Sequence, residues 1–182
     1  MGKFQDQVAV ITGAGQGAGK KLATRFYEEG AIVCLLDLNG KNLASVVEEV
    51  KPDEDRFVTY TADVSNSSQV TAVMEDIGRR FGKIDILINN AGVLHKGMIE
   101  TSSDDHIQLM IGVNLMGPMY CTRAAVPYMK EKGGNIINVA SILATFPNTG
   151  SGAYGAAKAG MIVLTRVWAA ELAPYNIRVN CY

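Results

Sequence analysis

The feature that most constrains this chain is the alternation, along its whole length, of short apolar runs with longer stretches of helical periodicity. The stretches between the runs carry apolar residues three or four positions apart, which is typical of helices that pack on a sheet. Runs that are apolar throughout predict strands buried on both faces. The predicted strands are 8–11, 31–36, 57–60, 84–88, 135–140 and 177–181. The sequence therefore predicts an α/β fold, a doubly wound parallel sheet of about six strands with helices on both faces.

One predicted helix, from about 103 to 130, contains Pro118. Proline has no N–H to donate and its ring crowds the preceding turn, so we expect this helix to kink or break. The other predicted helices are 17–29, 41–51, 67–81 and 152–173. A sheet wound in this way binds ligands at the carboxyl ends of its strands, so we expect functional side chains directly after the strands.

Composition excludes several classes of partner. The formal net charge of −1 leaves no basic surface for nucleic acid or anionic lipid. Because Cys34, Cys121 and Cys181 form no CxxC pair or Cys/His cluster, we predict no metal site and expect three buried, reduced thiols. The N-terminal segment lacks the apolar stretch of a secretory signal, and no run is long enough to cross a membrane. We expect a cytoplasmic protein with no membrane partner.

Glycines crowd the turn between the first predicted strand and the first predicted helix, where TGAGQGAG occupies 12–19. Glycine permits a tight turn and lets backbone N–H groups approach a phosphate closely. A glycine-rich string alone is equally compatible with an ordinary strand-to-helix turn. Here, however, Asp37 ends the next strand, and the combination predicts a Rossmann-like dinucleotide site.

Asp37 also predicts which dinucleotide is bound. An aspartate at this place accepts hydrogen bonds from the adenosine ribose hydroxyls of NAD and repels the 2′-phosphate of NADP. No Lys or Arg stands beside Asp37 to offset that repulsion. The sequence therefore predicts NAD as the cofactor.

A tyrosine and a lysine four residues apart, Tyr154 and Lys158, lie near the start of a predicted helix. Residues at this spacing share one helical face, so the phenol and the ammonium project the same way. A nearby cation favours the phenolate, and such a tyrosine can exchange a proton with a substrate. An isolated pair of this kind is more often an exposed pair on an amphipathic helix.

This pair is not isolated, because further polar residues follow other predicted strands. Ser141 follows the fifth strand, the run NNAG follows the fourth at 89–92, and the pair Asp63 and Val64 follows the third. Asn114 lies in the long predicted helix, just before Gly117 and Pro118. All of these groups are expected near the carboxyl edge of the sheet.

In their order and spacing these motifs resemble the short-chain dehydrogenase/reductase family in its simple one-domain form, over essentially all 182 residues. The resemblance implies that Tyr154 is the general acid/base and that Lys158 favours the phenolate and holds the nicotinamide ribose. It also implies that Ser141 polarises the substrate oxygen and that Asn114 holds a water in a proton relay from Lys158. Asn89 is interpreted as a structural residue that joins neighbouring strands.

The resemblance further implies a set of cofactor contacts. The residues around the dinucleotide backbone are Gly13, Gln16, Gly17, Ala18 and Gly19, the ribose residue is Asp37, and the contacts at the adenosine end are Asp63, Val64 and Asn90.

The implied function is NAD(H)-dependent hydride transfer between nicotinamide and a secondary alcohol or ketone of small-molecule size, in a homodimer or homotetramer. Family members continue beyond a sixth strand into a segment that covers the substrate. We therefore interpret 1–182 as one NAD-binding domain that is apparently truncated after this strand. Two alternatives stay open: an NAD-binding module with little or no turnover, and a fragment that serves only as a structural unit.

Overall fold

The computed structural model describes residues 2–182 and contains one sheet of six parallel strands. The strands are β1 (Val8–Thr12), β2 (Ile32–Asp37), β3 (Phe57–Thr61), β4 (Ile86–Asn89), β5 (Gly134–Asn138) and β6 (Ile177–Cys181). Their order across the sheet is β3-β2-β1-β4-β5-β6, and every neighbouring pair is parallel. The predicted doubly wound, Rossmann-like sheet is confirmed, and its order reverses between β1 and β4.

Six α-helices connect these strands: α1 (Gly17–Glu28), α2 (Gly40–Val50), α3 (Ser67–Phe81), α4 (Asp104–Ile111), α5 (Gly117–Ala125) and α6 (Gly152–Leu172). Asn39 and Asn66 precede α2 and α3, and each side-chain oxygen accepts two backbone N–H groups of the helix that follows. These contacts satisfy N–H groups that have no partner within the helix and so fix where the two helices begin.

The long helix expected over 103–130 is divided rather than continuous. A π-helical turn, Gly112–Met116, separates α4 from α5, and a 3₁₀ turn, Val126–Tyr128, follows α5. Pro118 stands in the first turn of α5, where a missing N–H costs little. The N–H of Gly117 bonds five residues back, to the carbonyl of Gly112. The helix is interrupted as predicted, but by a π turn that ends two residues before Pro118 and holds Asn114.

Neighbouring residues of each central strand pack against different helices. Val10 and Leu36 lie in the core under α3, α5 and α6, whereas Ile11 and Leu35 lie in the core under α1 and α2. All five residues of β1 are buried. Burial of apolar surface stabilises the fold by about 25 cal/mol per Å². Burial of the central strands on both faces therefore holds their carboxyl ends, where the site lies, in place.

Cover is thinner over β5 and β6. On the side that α1 and α2 occupy, a cavity of about 340 Å³ lies against this end of the sheet. Its lining includes Arg178, Asn180 and Cys181. Cys181 is exposed, so the expected burial of all three thiols is wrong for this one. Burial raises the pKa of both Cys34 and Cys121 to about 12. No helix within residues 2–182 has the length and apolar character needed to cross a bilayer.

Candidate active site

A concavity lies at the carboxyl ends of the strands, where the strand order reverses. It has a volume of about 500 Å³, within the range of small-molecule sites. Seven of the predicted cofactor residues line it: Gly13, Gln16, Gly17, Asp37, Asp63, Val64 and Asn90. Ala18 and Gly19 are in the first turn of α1, outside this lining.

The glycine turn after β1 is left-handed at two positions, with φ of +63° at Gly13 and +55° at Gly17. A Cβ on Gly13 would also lie 2.8 Å from the Cα of Ala91, so only glycine fits. Gln16, the residue before α1, makes no side-chain cap. The first N–H groups of α1 are therefore available to an anion such as a phosphate.

Asp37 lines the cavity and also accepts a hydrogen bond from the glycine turn. Its Oδ2 accepts a hydrogen bond of 2.8 Å from the N–H of Gly15, and its Oδ1 accepts one of 2.9 Å from the N–H of Asn39. A Cβ on Gly15 would lie 2.9 Å from the Asp37 Cγ. The carboxylate is thus held in one position, and its contact with Gly15 was not predicted from the sequence.

Asn90 and Thr12 join the glycine turn to the segment after β4. Asn90 Nδ2 donates to the carbonyls of Thr12, at 2.9 Å, and Gly13, at 3.1 Å. Thr12 Oγ1 accepts the N–H groups of Asn90 and Ala91, both at 3.0 Å. Thr12 was not singled out in the sequence, where its place directly before Gly13 was the available signal.

Asp63 and Val64 form the cavity wall after β3. Asp63 Oδ1 accepts bonds from both the N–H and the hydroxyl of Ser65, at 2.8 and 2.7 Å. These bonds fix the chain between β3 and α3. Gly19 also has a structural role, because it lets α1 approach the glycine turn closely. A Cβ on Gly19 would lie 2.1 Å from the Gly13 carbonyl oxygen.

Lys158 is the most unusual charged group near this cavity, since only 4% of the residue is exposed. Its Nζ donates a 2.6 Å hydrogen bond to the carbonyl of Val139, just beyond β5. Burial lowers the pKa of the Lys158 ammonium from 10.5 to about 8, because desolvation penalises the charged form. The Nζ also lies 5.8 Å from the centre of the Tyr154 ring, so the two side chains share one face as the spacing predicted.

Asn114 is fully buried in the π turn, and its side chain is occupied by backbone groups. Its Nδ2 donates to the carbonyls of Val93 and Met110, at 2.8 and 2.9 Å. Its Oδ1 accepts the N–H of Val93 at 3.2 Å. Asn114 therefore holds the chain that follows β4.

Gly92 connects the cavity with the predicted catalytic residues. It lines the cavity, and a Cβ on it would lie 3.0 Å from Asn114 Oδ1 and 3.7 Å from Lys158 Nζ. A side chain at this position would stand between the cavity and Lys158. The sequence marked Gly92 only as the end of the run 89–92.

Ser141 begins a 3₁₀ turn, Ile142–Ala144, and its Oγ accepts the N–H of Leu143 at 3.2 Å. The carbonyl of Leu143 lies 3.0 Å from where a Cβ on Gly155 would be, so this turn packs against the first turns of α6. Among residues 2–182 the hydroxyl hydrogen of Ser141 has no acceptor, so it can donate to another group. This arrangement puts a hydroxyl donor beside the helix that carries Tyr154.

Comparison with known proteins gives a consistent result. The family model described as short chain dehydrogenase matches residues 7–182. The 3-oxoacyl-(acyl-carrier-protein) reductase of Thermotoga maritima is 37% identical, over 98% of this chain and 73% of that protein. The 2,3-dihydro-2,3-dihydroxybenzoate dehydrogenase of Bacillus subtilis is 36% identical, over 97% and 68%.

Among solved structures, the 3-ketoacyl-(acyl-carrier-protein) reductase of Brucella melitensis, complexed with NADH, superposes with a TM-score of 0.92. It is 35% identical to this chain, and the match covers 98% of this chain and 75% of that one.

Proposed function

The chain belongs to the short-chain dehydrogenase family of oxidoreductases, and we propose that it uses NAD(H) to interconvert a secondary alcohol and a ketone of small-molecule size. The proposed catalytic residues are Asn114, Ser141, Tyr154 and Lys158. The observation that carries this proposal is the buried Lys158 ammonium beside the Tyr154 ring, reached from the coenzyme cavity past Gly92. A buried cation next to a phenol is suited to proton transfer.

The cavity beside the glycine turn fits a dinucleotide. A pyrophosphate fits here because Gly13 and Gly17 have no side chains to block its approach and because the Gln16 side chain does not cap α1. The first N–H groups of α1 can therefore bind the phosphates. A nicotinamide coenzyme bound there supplies hydride for reduction and accepts it for oxidation. The residues proposed to hold it are Gly13, Gln16, Gly17, Ala18, Gly19, Asp37, Asp63, Val64 and Asn90, with Tyr154 and Lys158 at the nicotinamide end.

Asp37 supports NAD over NADP in this proposal. Its carboxylate is fixed by Gly15 and Asn39 and lines the cavity. A carboxylate held in this way offers acceptors to a ribose diol and repels a phosphate on the same ring. Leu38 and Asn39, which follow it and also line the cavity, bring no positive charge to offset the repulsion.

Tyr154 is the proposed proton donor for reduction and proton acceptor for oxidation. The buried Lys158 ammonium lies 5.8 Å from the centre of the Tyr154 ring, on the same face of α6. With a pKa of about 8, Lys158 keeps its proton on most molecules at neutral pH. The free hydroxyl hydrogen of Ser141 is proposed to hydrogen-bond the substrate oxygen and polarise it.

Lys158 is also well placed to pass protons onward. An ammonium has three N–H donors, and only the one directed at Val139 has a partner among the described residues. Asn114 is proposed to support this relay by holding the Val93 segment beside Gly92.

The test begins with a fluorescence titration of the purified chain with NADH and, in parallel, with NADPH. We expect saturable binding that prefers NADH. Absence of binding to either nucleotide would contradict the coenzyme site.

Turnover is then followed by nicotinamide absorbance with acetoin, acetoacetyl-CoA and meso-butane-2,3-diol as probe substrates. We expect Tyr154→Phe to lower kcat by about 10²- to 10⁴-fold, the range of general acid–base catalysis, with the Kd for NADH little changed. Full activity of this variant would contradict the role of Tyr154. Binding without turnover of any probe would favour an NAD-binding module instead.

A further inference from the structure

Four polar side chains form a buried row that crosses the sheet from α5 to α6. They are Thr122 on α5, Asn89 at the end of β4, Asn138 at the end of β5 and Thr165 on α6. Each is at most 5% exposed. None of the four belongs to the proposed catalytic or coenzyme-binding set, and only the Asn89–Asn138 bond between β4 and β5 was expected from the sequence.

The hydrogen bonds of this row run outward from Asn89 toward both helices. Asn89 Nδ2 donates to Thr122 Oγ1 at 3.2 Å and to Asn138 Oδ1 at 2.8 Å. Because its oxygen is taken, Asn138 turns its Nδ2 to Thr165 Oγ1, at 2.9 Å. Thr165 can accept there because its own hydroxyl donates to the carbonyl of Met161, at 2.7 Å.

The last bond of the row fixes the helix that carries the proposed catalytic pair. Tyr154, Lys158 and Thr165 lie at positions i, i+4 and i+11 of α6, which share one helical face. Lys158 attaches this face to the carbonyl of Val139. Asn138, the preceding residue, attaches it again through Thr165, two helical turns further along.

Apolar packing alone holds a helix against a sheet without fixing its position closely. The contacts of α6 with the core at Met161 and Leu172 are of this kind, and such contacts tolerate small slides and rotations. A hydrogen bond weakens when its donor and acceptor separate by a few tenths of an ångström. The Asn138–Thr165 bond therefore restricts movement of α6 along and around its axis.

The row includes one energetically unfavourable group. Among the described residues, Asn89 Oδ1 is buried and has no hydrogen-bond partner. A buried unpaired acceptor is unfavourable, and apolar side chains of similar shape would avoid it. What Asn89 contributes in return is the orientation of the Asn138 amide.

We infer that Thr165 and Asn138 are positioning residues, which hold α6 in the register that brings Tyr154 and Lys158 to the substrate. This inference rests on the proposed function. It predicts that breaking the α6 end of the row lowers kcat, while breaking the α5 end does not.

The experiment uses matched substitutions at the two ends of the row. Thr165→Val and Thr122→Val each replace a threonine that is 5% exposed with an isosteric apolar residue. We expect Thr165→Val to lower kcat about tenfold or more, because misplacement by about 1 Å can cost about 10²-fold. The KM of the best probe substrate and the Kd for NADH should stay within about twofold.

Two further variants, Thr165→Ser and Thr165→Ala, complete the design. Thr165→Ser keeps the hydroxyl and should restore kcat to near the wild-type value. Thr122→Val should keep kcat near that of the wild type even where its thermal stability falls as much as that of Thr165→Val. Thr165→Ala repeats the loss of the hydroxyl if Thr165→Val does not fold.

The outcomes separate the two proposals. Wild-type kcat in Thr165→Val, an equal loss in Thr122→Val, or failure of both Thr165→Val and Thr165→Ala to fold would each overturn the positioning role alone. Absence of turnover in the wild-type chain, with NADH bound, would overturn the proposed function and the positioning role with it.

Discussion

Lys158 shows how a single residue joins stability to function. Its ammonium, which is proposed to serve in proton transfer, is buried, and the same burial makes the charged form unfavourable in the folded protein. The spacing of Tyr154 and Lys158 was readable from the sequence, because neighbours four apart on a helix are a local matter. The acceptor at Val139 and the closeness of Gly92 were not readable, since both depend on distant segments meeting in space.

This burial predicts a pH dependence of stability. The folded pKa of Lys158, about 8, lies below its ordinary value of 10.5, so the unfolded chain binds more protons between these limits. The free energy of unfolding should therefore rise as pH increases from about 8 to 10.5, by about 3 kcal/mol from this group.

The measurement is urea unfolding of the wild type and of Lys158→Met across this range. Contributions from the other ionisable groups cancel in the difference between the two proteins, because only Lys158 is replaced. The difference between the two proteins should grow in favour of the wild type as pH rises. A constant difference would contradict the prediction.

Asp37 gives a second prediction for a single residue. Asp37→Asn removes the negative charge and keeps an oxygen that can accept the N–H of Gly15 or Asn39. We expect the preference for NADH over NADPH to fall about tenfold, equivalent to about 1.4 kcal/mol, through tighter NADPH binding. Parallel fluorescence titrations measure it, and an unchanged ratio of the two Kd values would show that Asp37 does not select the coenzyme.

At the scale of elements, the strands and their parallel arrangement followed from the sequence, but the way in which helices are interrupted did not. The apolar runs are long enough for burial to decide their structure, and β6 has the bounds predicted for it. Pro118 indicated that the helix over 103–130 is broken, yet the sequence carried no sign that a π turn would turn Asn114 toward Val93. Whether such a turn forms depends on the hydrogen-bond donors and acceptors that the neighbouring segment supplies.

The glycine turn yields a prediction with a control within the same chain. Gly13 and Gly82 both have positive φ, +63° and +72°, but an added Cβ meets the Ala91 backbone at Gly13 and nothing within 4 Å at Gly82. Both alanine variants should lose about 1 kcal/mol from the left-handed backbone.

Gly13→Ala alone should lose more stability and also NADH binding, because the backbone beside the cavity must move. Thermal unfolding and NADH titration of the two variants measure these effects. Equal effects in the two variants would mean that the close approach at Ala91 is unimportant.

At the scale of the whole molecule, the outer surfaces of the helices on one face carry apolar side chains that the chain itself does not cover. Met116 and Met119 lie near the start of α5, and Val163 and Val167 lie one turn apart on α6, 58% and 43% exposed. The sequence predicted a homodimer or homotetramer only through the family resemblance, since apolar periodicity does not distinguish a core face from a contact face.

Self-association through α6 is therefore the whole-molecule prediction. Val163→Lys combined with Val167→Lys should lower the mass measured by light scattering to that of one chain, because two charges cannot be buried unpaired in an interface. The thermal stability measured at low protein concentration should change little. A mass equal to one chain in the wild type would contradict the prediction.

The double use of Asp37 limits how this protein can change over evolutionary time. The carboxylate that is proposed to choose the coenzyme also accepts the N–H of Gly15. A substitution that reverses the choice by replacing Asp37 with an apolar or basic residue leaves that N–H without its acceptor. A lineage moving toward the phosphorylated coenzyme can keep an acceptor for Gly15 by passing through Asp37→Asn, so the order in which substitutions arise decides which intermediates keep the turn intact.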